Sequence, residues 1–394
     1  MPIIESVDRR AVERLISQRQ ERAREVERRA AAIVAAVRQR GDAALEAYAR
    51  RLDNLEGATE LTPREIRDGA SRTPRDVRRA IAAAAGAIRR VAARQVPRPR
   101  IITTGPGVSI ELRPIPFARA GCYVPGGRFP LLSTLLMTAI PAAAAGVGEI
   151  VAVSPRPAPA MLAVALEAGV SRFFRIGGAQ AIAALAYGTR RVPRVDKIVG
   201  PGNAWVAAAK RLVAPDCDVD FEAGPTELVV ISRTGNAEWI AADLRAQAEH
   251  DPDARSILIT PSRTLSRRVA RHWNGRIIVA GDIDEAVALV NRMAPEHVAC
   301  DDDRTADRIA NAGTIFVGRW SAPAAGDYAT GSNHVLPTGG AARTRGGLSA
   351  ADFVKVVAIQ RVSREGLRRI APAAVTLADA EGLRAHARSI EVRL

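Results

Sequence analysis

Lysine, aromatic residues and cysteine are all scarce in this 394-residue chain. Only three of the 57 basic residues are lysine, so arginine carries the formal net charge of +15. A strongly basic chain fits a nucleic-acid-associated protein. Aromatic residues make up only 4% of the chain, however, and no basic run is interleaved with stacking side chains. We therefore expect no nucleic-acid partner, and we interpret the arginines as the charged faces of helices.

The three cysteines, Cys122, Cys217 and Cys300, are far apart and form no CxxC pair. This spacing excludes a disulfide framework and a cysteine-rich zinc module. The most apolar stretch, residues 131–153, is interrupted by glycine, proline and glutamate, and the first ten residues contain no apolar segment. The sequence therefore predicts a cytoplasmic protein without a membrane partner.

The chain is long enough for two or more domains. Residues 8–95 have apolar positions at helical spacing, and Thr-Pro-Arg-acid sequences at Thr62 and Thr73 predict two capped helix starts. From residue 108, short β-branched runs alternate with helical segments, which is typical of a parallel sheet with crossover helices. The predicted strands are Ala120–Val124, Glu149–Ser154, Arg172–Ile176, Asp196–Val199, Glu227–Ser232, Ser256–Thr260, Arg276–Ala280, His297–Cys300 and Thr314–Val317.

Two of these strands begin similar segments, Ile150-Val-Ala-Val-Ser-Pro-Arg156 and Ser256-Ile-Leu-Ile-Thr-Pro-Ser-Arg263. The echo favours an α/β fold of two Rossmann-like domains, each an incomplete doubly wound parallel sheet, related by duplication. We predict that residues 1–119 and 227–348 form one domain with the N-terminal helices, and that residues 120–226 form a second domain inserted into it. Residues 349–394 predict a small helical appendage.

Glycine-rich sequences follow three predicted strands, at Tyr123-Val-Pro-Gly-Gly127, Ile176-Gly-Gly-Ala-Gln180 and Gly200-Pro-Gly-Asn203. An open α/β sheet binds ligands where its strand carboxyl ends meet helix N-termini. None of the three is a GxGxxG fingerprint, so two interpretations remain open: a dinucleotide site, or tight turns between strands and helices.

Polar side chains with catalytic potential form two small groups. Gln247 and His250 are three residues apart just before Asp251-Pro252, where a helix is expected to end. On one helix face both side chains could reach a single metal ion. Glu296 and His297 stand before an apolar strand and could act as two acid/base groups facing one substrate. For both groups the alternative is an ordinary polar rim.

Taken together, motifs spread over residues 120–386 resemble the histidinol dehydrogenase family. The resemblance covers nearly the whole chain and thins over the first hundred residues, which look short for the family. The motifs are Tyr123-Val-Pro-Gly-Gly, Gly177-Gly-Ala-Gln180 continuing to Thr189, Val195-Asp-Lys-Ile-Val-Gly-Pro-Gly-Asn-Ala-Trp-Val206, Ala223-Gly-Pro-Thr-Glu227, Gln247-Ala-Glu-His250, Pro295-Glu-His297, Gly326-Asp-Tyr328, Asn333-His-Val-Leu-Pro-Thr338 and Glu381-Gly-Leu-Arg-Ala-His386.

The resemblance implies a homodimeric enzyme of histidine biosynthesis that uses NAD and one zinc ion per subunit. Such an enzyme oxidises L-histidinol twice, through an aldehyde, to L-histidine. The matching metal positions are Gln247, His250, Asp327 and His386, the last from the partner subunit's C-terminal appendage, and these residues also adjoin the substrate. Glu296 and His297 match the acid/base pair, and His297 also touches the substrate. The remaining matches are Tyr123, Gln180 and Asn203 for the dinucleotide, and Thr226, His334 and Glu381 for the substrate.

The chemistry of the reaction agrees with these residue types. A nitrogen and oxygen ligand set with open positions lets zinc orient the substrate's amino and imidazole nitrogens. His297 is suited to take the hydroxyl proton in the first oxidation, and Glu296 to take a proton from water in the second. Cys122 is the obvious rival nucleophile for the aldehyde step, but no histidine is its neighbour in sequence, and we expect it to pack.

Three positions depart from the family pattern. Thr226 stands where serine is usual, Phe221-Glu222 replaces a more apolar pair, and Ala324 replaces an acid before Gly-Asp-Tyr. Threonine keeps the hydroxyl group, so the first change alters shape more than chemistry. The alternative substrate is another small polar alcohol, such as a sulfonated diol, although the segment 128–134 looks more like the histidinol enzymes.

Overall fold

The computed structural model describes residues 3–16, 24–126, 130–221 and 224–394. Glu222 and Arg128, which entered the comparison with the family pattern, lie outside these residues. Within the described ranges, no helix combines the length and the apolar character needed to cross a membrane.

The N-terminal region consists mainly of helices. Thr62 and Glu65 form the predicted capping box: the Thr62 hydroxyl accepts from the Glu65 N–H at 3.2 Å and the Glu65 carboxylate accepts from the Thr62 N–H at 2.7 Å. The second predicted cap, at Thr73, is wrong, because its hydroxyl is buried without a partner and the helix begins after Pro74. The elements are β1 Ile4–Glu5, α1 Arg9–Ile16, α2 Arg24–Arg40, α3 Asp42–Leu52, β2 Glu60–Leu61, α4 Pro63–Ser71, α5 Arg75–Gln95, β3 Arg100–Gly105 and β4 Val108–Pro116.

Residues 119–219 contain five strands of a six-stranded sheet, here called sheet B. Its strand order is β2-β7-β6-β5-β8-β9, and all neighbours are parallel except β2 and β7. The elements are β5 Arg119–Tyr123, α6 Leu132–Ala145, β6 Glu149–Val153, α7 Pro159–Glu167, β7 Arg172–Phe174, α8 Gly178–Tyr187, β8 Lys197–Val199, α9 Ala204–Val213 and β9 Asp218–Val219.

Residues 227–317 contain five strands of a second six-stranded sheet, here called sheet A. Its order is β1-β12-β11-β10-β13-β14, and every neighbouring pair is parallel. The nine strands predicted from sequence are confirmed to within two residues at each end. The elements are β10 Glu227–Ile231, α10 Ala237–Ala248, β11 Arg255–Thr260, α11 Arg263–Ala270, β12 Arg276–Val279, α12 Ile283–Met293, β13 His297–Cys300, α13 Asp303–Ala306, β14 Thr314–Val317 and α14 Pro323–Tyr328.

The two sheets have the same strand order, with an N-terminal strand added at one edge of each. The two similar sequence segments, which begin at Ile150 and Ser256, contain most of β6 and β11. These two strands occupy equivalent positions in the two sheets. The α/β fold with two parallel, Rossmann-like sheets is therefore the predicted one.

Most of the N-terminal helices do not pack as expected from the predicted domain that combines residues 1–119 with residues 227–348. Ile33 of α2 and Leu45 of α3 share a core with Ile182 of α8, while Ile66 of α4 and Ile88 of α5 share one with residues of α6 and α7. Of the N-terminal elements that the structure describes, β1 and α1 are the two that join sheet A. Amphipathic faces show that these helices are buried on one side, but they do not specify which sheet covers them.

The C-terminal appendage is only partly helical, and the expectation of helix throughout residues 349–394 is wrong. After a 3₁₀ turn at Ala350–Phe353 come β15 Val354–Val362, α15 Arg364–Ala380 and α16 Arg384–Glu391. β15 pairs antiparallel with β4, which also pairs with β3. β3 and β15 are exposed along much of their length, so the apolar pattern that identifies a buried strand is absent from them, whereas β4 between them is mostly half-buried.

Two of the three lysines are buried at sheet B, Lys197 on strand β8 and Lys210 on helix α9, which packs against the sheet. Lys210 Nζ lies 2.5 Å from both the Asp220 carboxylate and the Gly200 carbonyl, and the same carboxylate accepts from the Gly200 N–H at 2.7 Å. The side chain of Lys197, also nearly inaccessible, pairs with Asp218 at 2.6 Å. The first pair fixes the glycine-rich turn that leads to Asn203.

Candidate active site

Glu296 and His297 lie at the amino end of β13, beside the amino end of β10. Ala294 ends α12 in a left-handed conformation with φ +48°, which turns the chain into the strand. Both side chains are buried, with 7% of Glu296 and 3% of His297 exposed. A buried carboxylate and a buried imidazole require specific partners.

Thr226 connects Glu296 with Gln247. Its hydroxyl donates to Glu296 Oε2 at 2.5 Å and accepts a hydrogen bond from Gln247 Nε2. Glu296 Oε2 also accepts from the backbone N–H of Glu227 at 2.9 Å. Both bonds to the carboxylate end on Oε2, so Oε1 is the oxygen that remains for another partner. The same network directs the Gln247 amide oxygen away from Thr226.

The partners of His297 determine its tautomer. Its Nδ1 is 3.1 Å from the carbonyl oxygen of Glu227, and a carbonyl only accepts, so Nδ1 carries the proton. Nε2 is therefore the basic nitrogen, 3.9 Å from Asp327 Oδ1. Burial alone would lower the pKa of His297, but the Glu296 carboxylate, helped by Asp327, outweighs burial and raises the pKa above the usual histidine value.

Asp327 lies between two imidazoles. Its Oδ1 is 3.8 Å from His334 Nδ1, and its backbone carbonyl is 3.1 Å from the same nitrogen. Burial lowers the pKa of His334, which favours the neutral ring. The C-terminal end of α14 and the loop after it thus face the amino end of sheet A.

The four predicted metal ligands are not assembled within one chain. Gln247 is buried at the end of α10, but α10 ends at Ala248, so the exposed His250 lies beyond the helix rather than on its face. His386 and Glu381 are exposed on the C-terminal appendage. Among the described residues, no three His, Cys, Asp or Glu side chains are close enough to hold a metal ion.

The three predicted dinucleotide contacts line one cavity of about 780 Å³ at the carboxyl edge of sheet B. Tyr123 ends β5, Gln180 lies in the first turn of α8, and Asn203 caps α9 by accepting from the N–H groups of Trp205 and Val206 at 3.1 and 3.3 Å. Asp53, which the sequence did not indicate, lines the same cavity.

Cys122 cannot serve as the nucleophile. It lies within β5 with no exposed surface, and burial raises the pKa of its thiol to about 12. Because the thiolate is the reactive form, this thiol does not fit the role of a nucleophile in the expected aldehyde oxidation.

The chain as a whole has relatives among known proteins. The family model for histidinol dehydrogenase matches residues 16–394. The chain belongs to the histidinol dehydrogenase family. Relatives in the family include the histidinol dehydrogenase of Geobacter sulfurreducens, 44% identical over 96% of both chains, and that of Caulobacter vibrioides, 45% identical over 94% of this chain and 93% of the relative. The solved histidinol dehydrogenase of Elizabethkingia anophelis is 33% identical, covers 98% of this chain and 95% of its own, and superposes with a TM-score of 0.93.

Residues that the resemblance did not assign to the site also support it. Phe316 of β14 stacks on the His297 ring with centroids 5.8 Å apart. The buried carboxylate of Glu227 lies 3.2 Å from the Arg255 guanidinium. Glu227 directly follows Thr226 in a quoted motif, so its position was visible in the sequence. Nothing in the sequence pointed to Phe316 or Arg255, which lie on other strands.

Proposed function

We propose that this protein is a zinc-dependent, NAD-linked histidinol dehydrogenase that oxidises L-histidinol to L-histidine through L-histidinaldehyde. In this role it is a cytoplasmic enzyme of histidine biosynthesis. The observation that carries the proposal is the buried pair of Glu296 and His297, held by Thr226 beside Gln247 at one edge of sheet A. Family membership supports the same reaction.

In the first oxidation, His297 Nε2 takes the hydroxyl proton, and NAD, when bound, would accept the hydride that leaves the carbinol carbon. The tautomer fixed by the Glu227 carbonyl leaves this nitrogen free to act as a base. In the second oxidation, water adds to the aldehyde as Glu296 Oε1 takes a proton from that water, and a second NAD would accept the hydride that leaves the resulting hydrate. For each histidinol and water consumed, the products are the carboxylate, two NADH and three protons.

The donor set fits zinc by its chemistry. The Gln247 Nε2 group is bonded to Thr226, so the amide oxygen is the atom left for a metal, and Asp327 and His250 add an oxygen and a nitrogen. A bound zinc ion would supply positive charge that orients the substrate's amino and imidazole nitrogens. His386 of the same chain lies on α16, so we assign the fourth ligand to a second subunit.

The C-terminal appendage has the surface expected of a dimer arm. In α15 and α16 only Gly366, Ala371 and Ala387 are buried. Apolar side chains in and beside these two helices are exposed to 40% or more, among them Ile370, Leu377, Leu383 and Val392. Covering this surface with a second copy of the chain would also bring His386 and Glu381 to the partner's site.

The reaction is tested by following NADH formation from purified zinc-loaded protein. We expect two NADH per L-histidinol and L-histidine as the product, with activity lost on chelation and restored by zinc. The substrate panel includes sulfonated diols and other amino alcohols. Turnover of those alcohols without turnover of histidinol would contradict the proposed substrate.

The shared site is tested by complementation. His250→Ala and His386→Ala variants, each inactive alone, are unfolded, mixed and refolded. A heterodimer then contains one intact site, because the His386→Ala subunit keeps its own His250 and receives His386 of its partner. We expect activity to return in the mixture. A mixture shown to contain heterodimers, yet inactive, would contradict a shared site, and an exposed His272→Ala variant serves as the control.

A further inference from the structure

A buried oxygen in the cavity of sheet B has no partner. Gln180 is 1% exposed and lines the cavity, and its Nε2 donates to Asp53 Oδ2 at 3.0 Å. Its Oε1 is buried without any hydrogen bond. An unpaired buried acceptor is destabilising, so it indicates that a donor is to be supplied from outside the chain.

Asp53 determines which end of the Gln180 amide is left unpaired. The same carboxylate oxygen accepts from the Gly177 N–H at 3.0 Å, at the start of α8. A carboxylate has no donor of its own, so the amide must turn its Nε2 group towards Asp53 and its Oε1 away. Gly178, with φ +59°, leaves room there, because a Cβ at this position would lie 2.9 Å from Oε1.

Tyr123 supplies a donor next to this acceptor. Its hydroxyl oxygen accepts from the Gly178 N–H at 3.1 Å, so the hydroxyl hydrogen remains available. Burial raises the pKa of Tyr123 to about 12, which keeps that hydrogen in place at neutral pH. The start of α8 therefore presents one oriented acceptor and one oriented donor to the cavity.

We infer that Asp53 is a positioning residue for the dinucleotide: it fixes the Gln180 amide so that Oε1 accepts a hydrogen bond from an N–H or O–H group of NAD. The inference rests on the proposed NAD site. Three parts of NAD offer a donor beside an acceptor: the ribose hydroxyls, the nicotinamide carboxamide and the adenine amino edge. Asp53 itself need not touch the cofactor.

The test exchanges the two polar groups. In Asp53→Asn the new amide can donate to Gln180 Oε1, turn the glutamine and place Nε2 towards the cofactor. We expect KM and Kd for NAD to rise about fivefold to tenfold with kcat within about twofold, the scale of one hydrogen bond. Gln180→Glu alone sets two carboxylates against each other and should weaken NAD binding at least as much.

The double variant Asp53→Asn/Gln180→Glu restores the pattern with the roles reversed. The amide introduced at position 53 donates to the new carboxylate and accepts from Gly177, while the second carboxylate oxygen faces the cavity. We expect the affinity for NAD to return to within about threefold of wild type. Glu56→Gln, an exposed charge change three residues away, is the matched control and should leave KM unchanged.

Stability separates positioning from a general structural role. Burial raises the pKa of Asp53, so its ionised form opposes folding at neutral pH. Asp53→Asn should therefore unfold at the same or a higher temperature while it binds NAD more weakly. An unchanged KM in Asp53→Asn, or losses that multiply in the double variant, would overturn the inference. Wild-type protein that shows no NAD binding by calorimetry would instead overturn the proposed function.

NAD analogues identify the donor. Nicotinamide hypoxanthine dinucleotide lacks the adenine amino group, and nicotinic acid adenine dinucleotide lacks the carboxamide N–H. If the rise in KM caused by Asp53→Asn disappears with one analogue, the group missing from that analogue is the one that donates to Gln180 Oε1. A penalty that persists with both analogues assigns the contact to a ribose hydroxyl.

Discussion

Sheets A and B have the same strand order, but their proposed functional residues lie at opposite edges. In sheet B, Tyr123 is the last residue of β5, and Gln180 and Asn203 follow β7 and β8. In sheet A, Glu296 directly precedes β13, His297 is the first residue of β13, and Thr226 precedes β10. With these proposed assignments, the rule that open α/β sheets bind ligands at strand carboxyl ends applies to sheet B and fails for sheet A.

The carboxyl edge of sheet A is occupied by the chain's own side chains. The Asp301 carboxylate accepts from the N–H groups of Arg233 and Thr234 at 2.7 and 3.4 Å. The Ser232 hydroxyl accepts from Gly235 N–H at 2.9 Å, and the Glu285 carboxylate accepts from Gly281 N–H at 2.6 Å. These four backbone donors are thus already satisfied. Equivalent topology preserves the sheet but not the binding site.

The largest expected effect lies at the amino edge of sheet A. His297→Asn removes the proposed base and should lower kcat for histidinol oxidation by about a hundredfold or more. Asp301→Asn, at the opposite edge of the same sheet, is the matched control and should keep nearly full activity. Steady-state NADH production measures both. A comparable loss in Asp301→Asn would remove the distinction between the two edges.

Glu296→Gln should divide the two half-reactions. The substitution removes the carboxylate that is proposed to take a proton from water. The rate of oxidation of added aldehyde should therefore fall by about a hundredfold, and the rate of alcohol oxidation should fall much less. Single-turnover measurements with each substrate provide the comparison. Equal losses in both steps would show that the roles are not divided in this way.

A smaller effect is expected at Thr226. Thr226→Val removes the hydroxyl that joins Glu296 to Gln247 and leaves both without that bond, so kcat/KM should fall about tenfold or more. Thr226→Ser keeps the hydroxyl and should stay within a few-fold of wild type. Zinc content measured in parallel shows whether the loosened Gln247 also binds metal less well. If Thr226→Val is as active as Thr226→Ser, the hydrogen bonds that link Glu296 through Thr226 to Gln247 have no role in catalysis.

The smallest effect concerns Asp243, one turn before Gln247 on α10. Burial raises the pKa of Asp243 to about 6, above the value near 4 expected in the unfolded chain. The folded protein therefore holds this proton more tightly, and stability is lost as pH rises from about 4 to 6. The Tm advantage of Asp243→Asn should grow across that window by a few degrees. If the Tm difference between Asp243→Asn and wild type stays constant over this pH range, Asp243 does not titrate there. The substitution should leave kcat unaffected.

Most of the two sheets could be predicted from sequence because parallel strands buried on both faces are continuous β-branched runs. β3 and β15 could not, since their side chains are largely exposed and no apolar face marks them as buried strands. β4 does alternate, with Val108, Ile110 and Leu112 between polar residues, but all three side chains are only half-buried. The site divides similarly. Glu296 and His297 belong to a local motif, whereas Asp53 is 127 positions from Gln180 and only folding brings them together.

The burial of Lys197 and Lys210 has a practical consequence for labelling. Both amines are enclosed at sheet B and paired with carboxylates, while Lys355 lies exposed on β15. Apart from the terminal amine, an amine-directed dye should therefore attach at one position. That position lies in the appendage assigned to the dimer arm, so a fluorophore at Lys355 would report subunit exchange without any engineered cysteine.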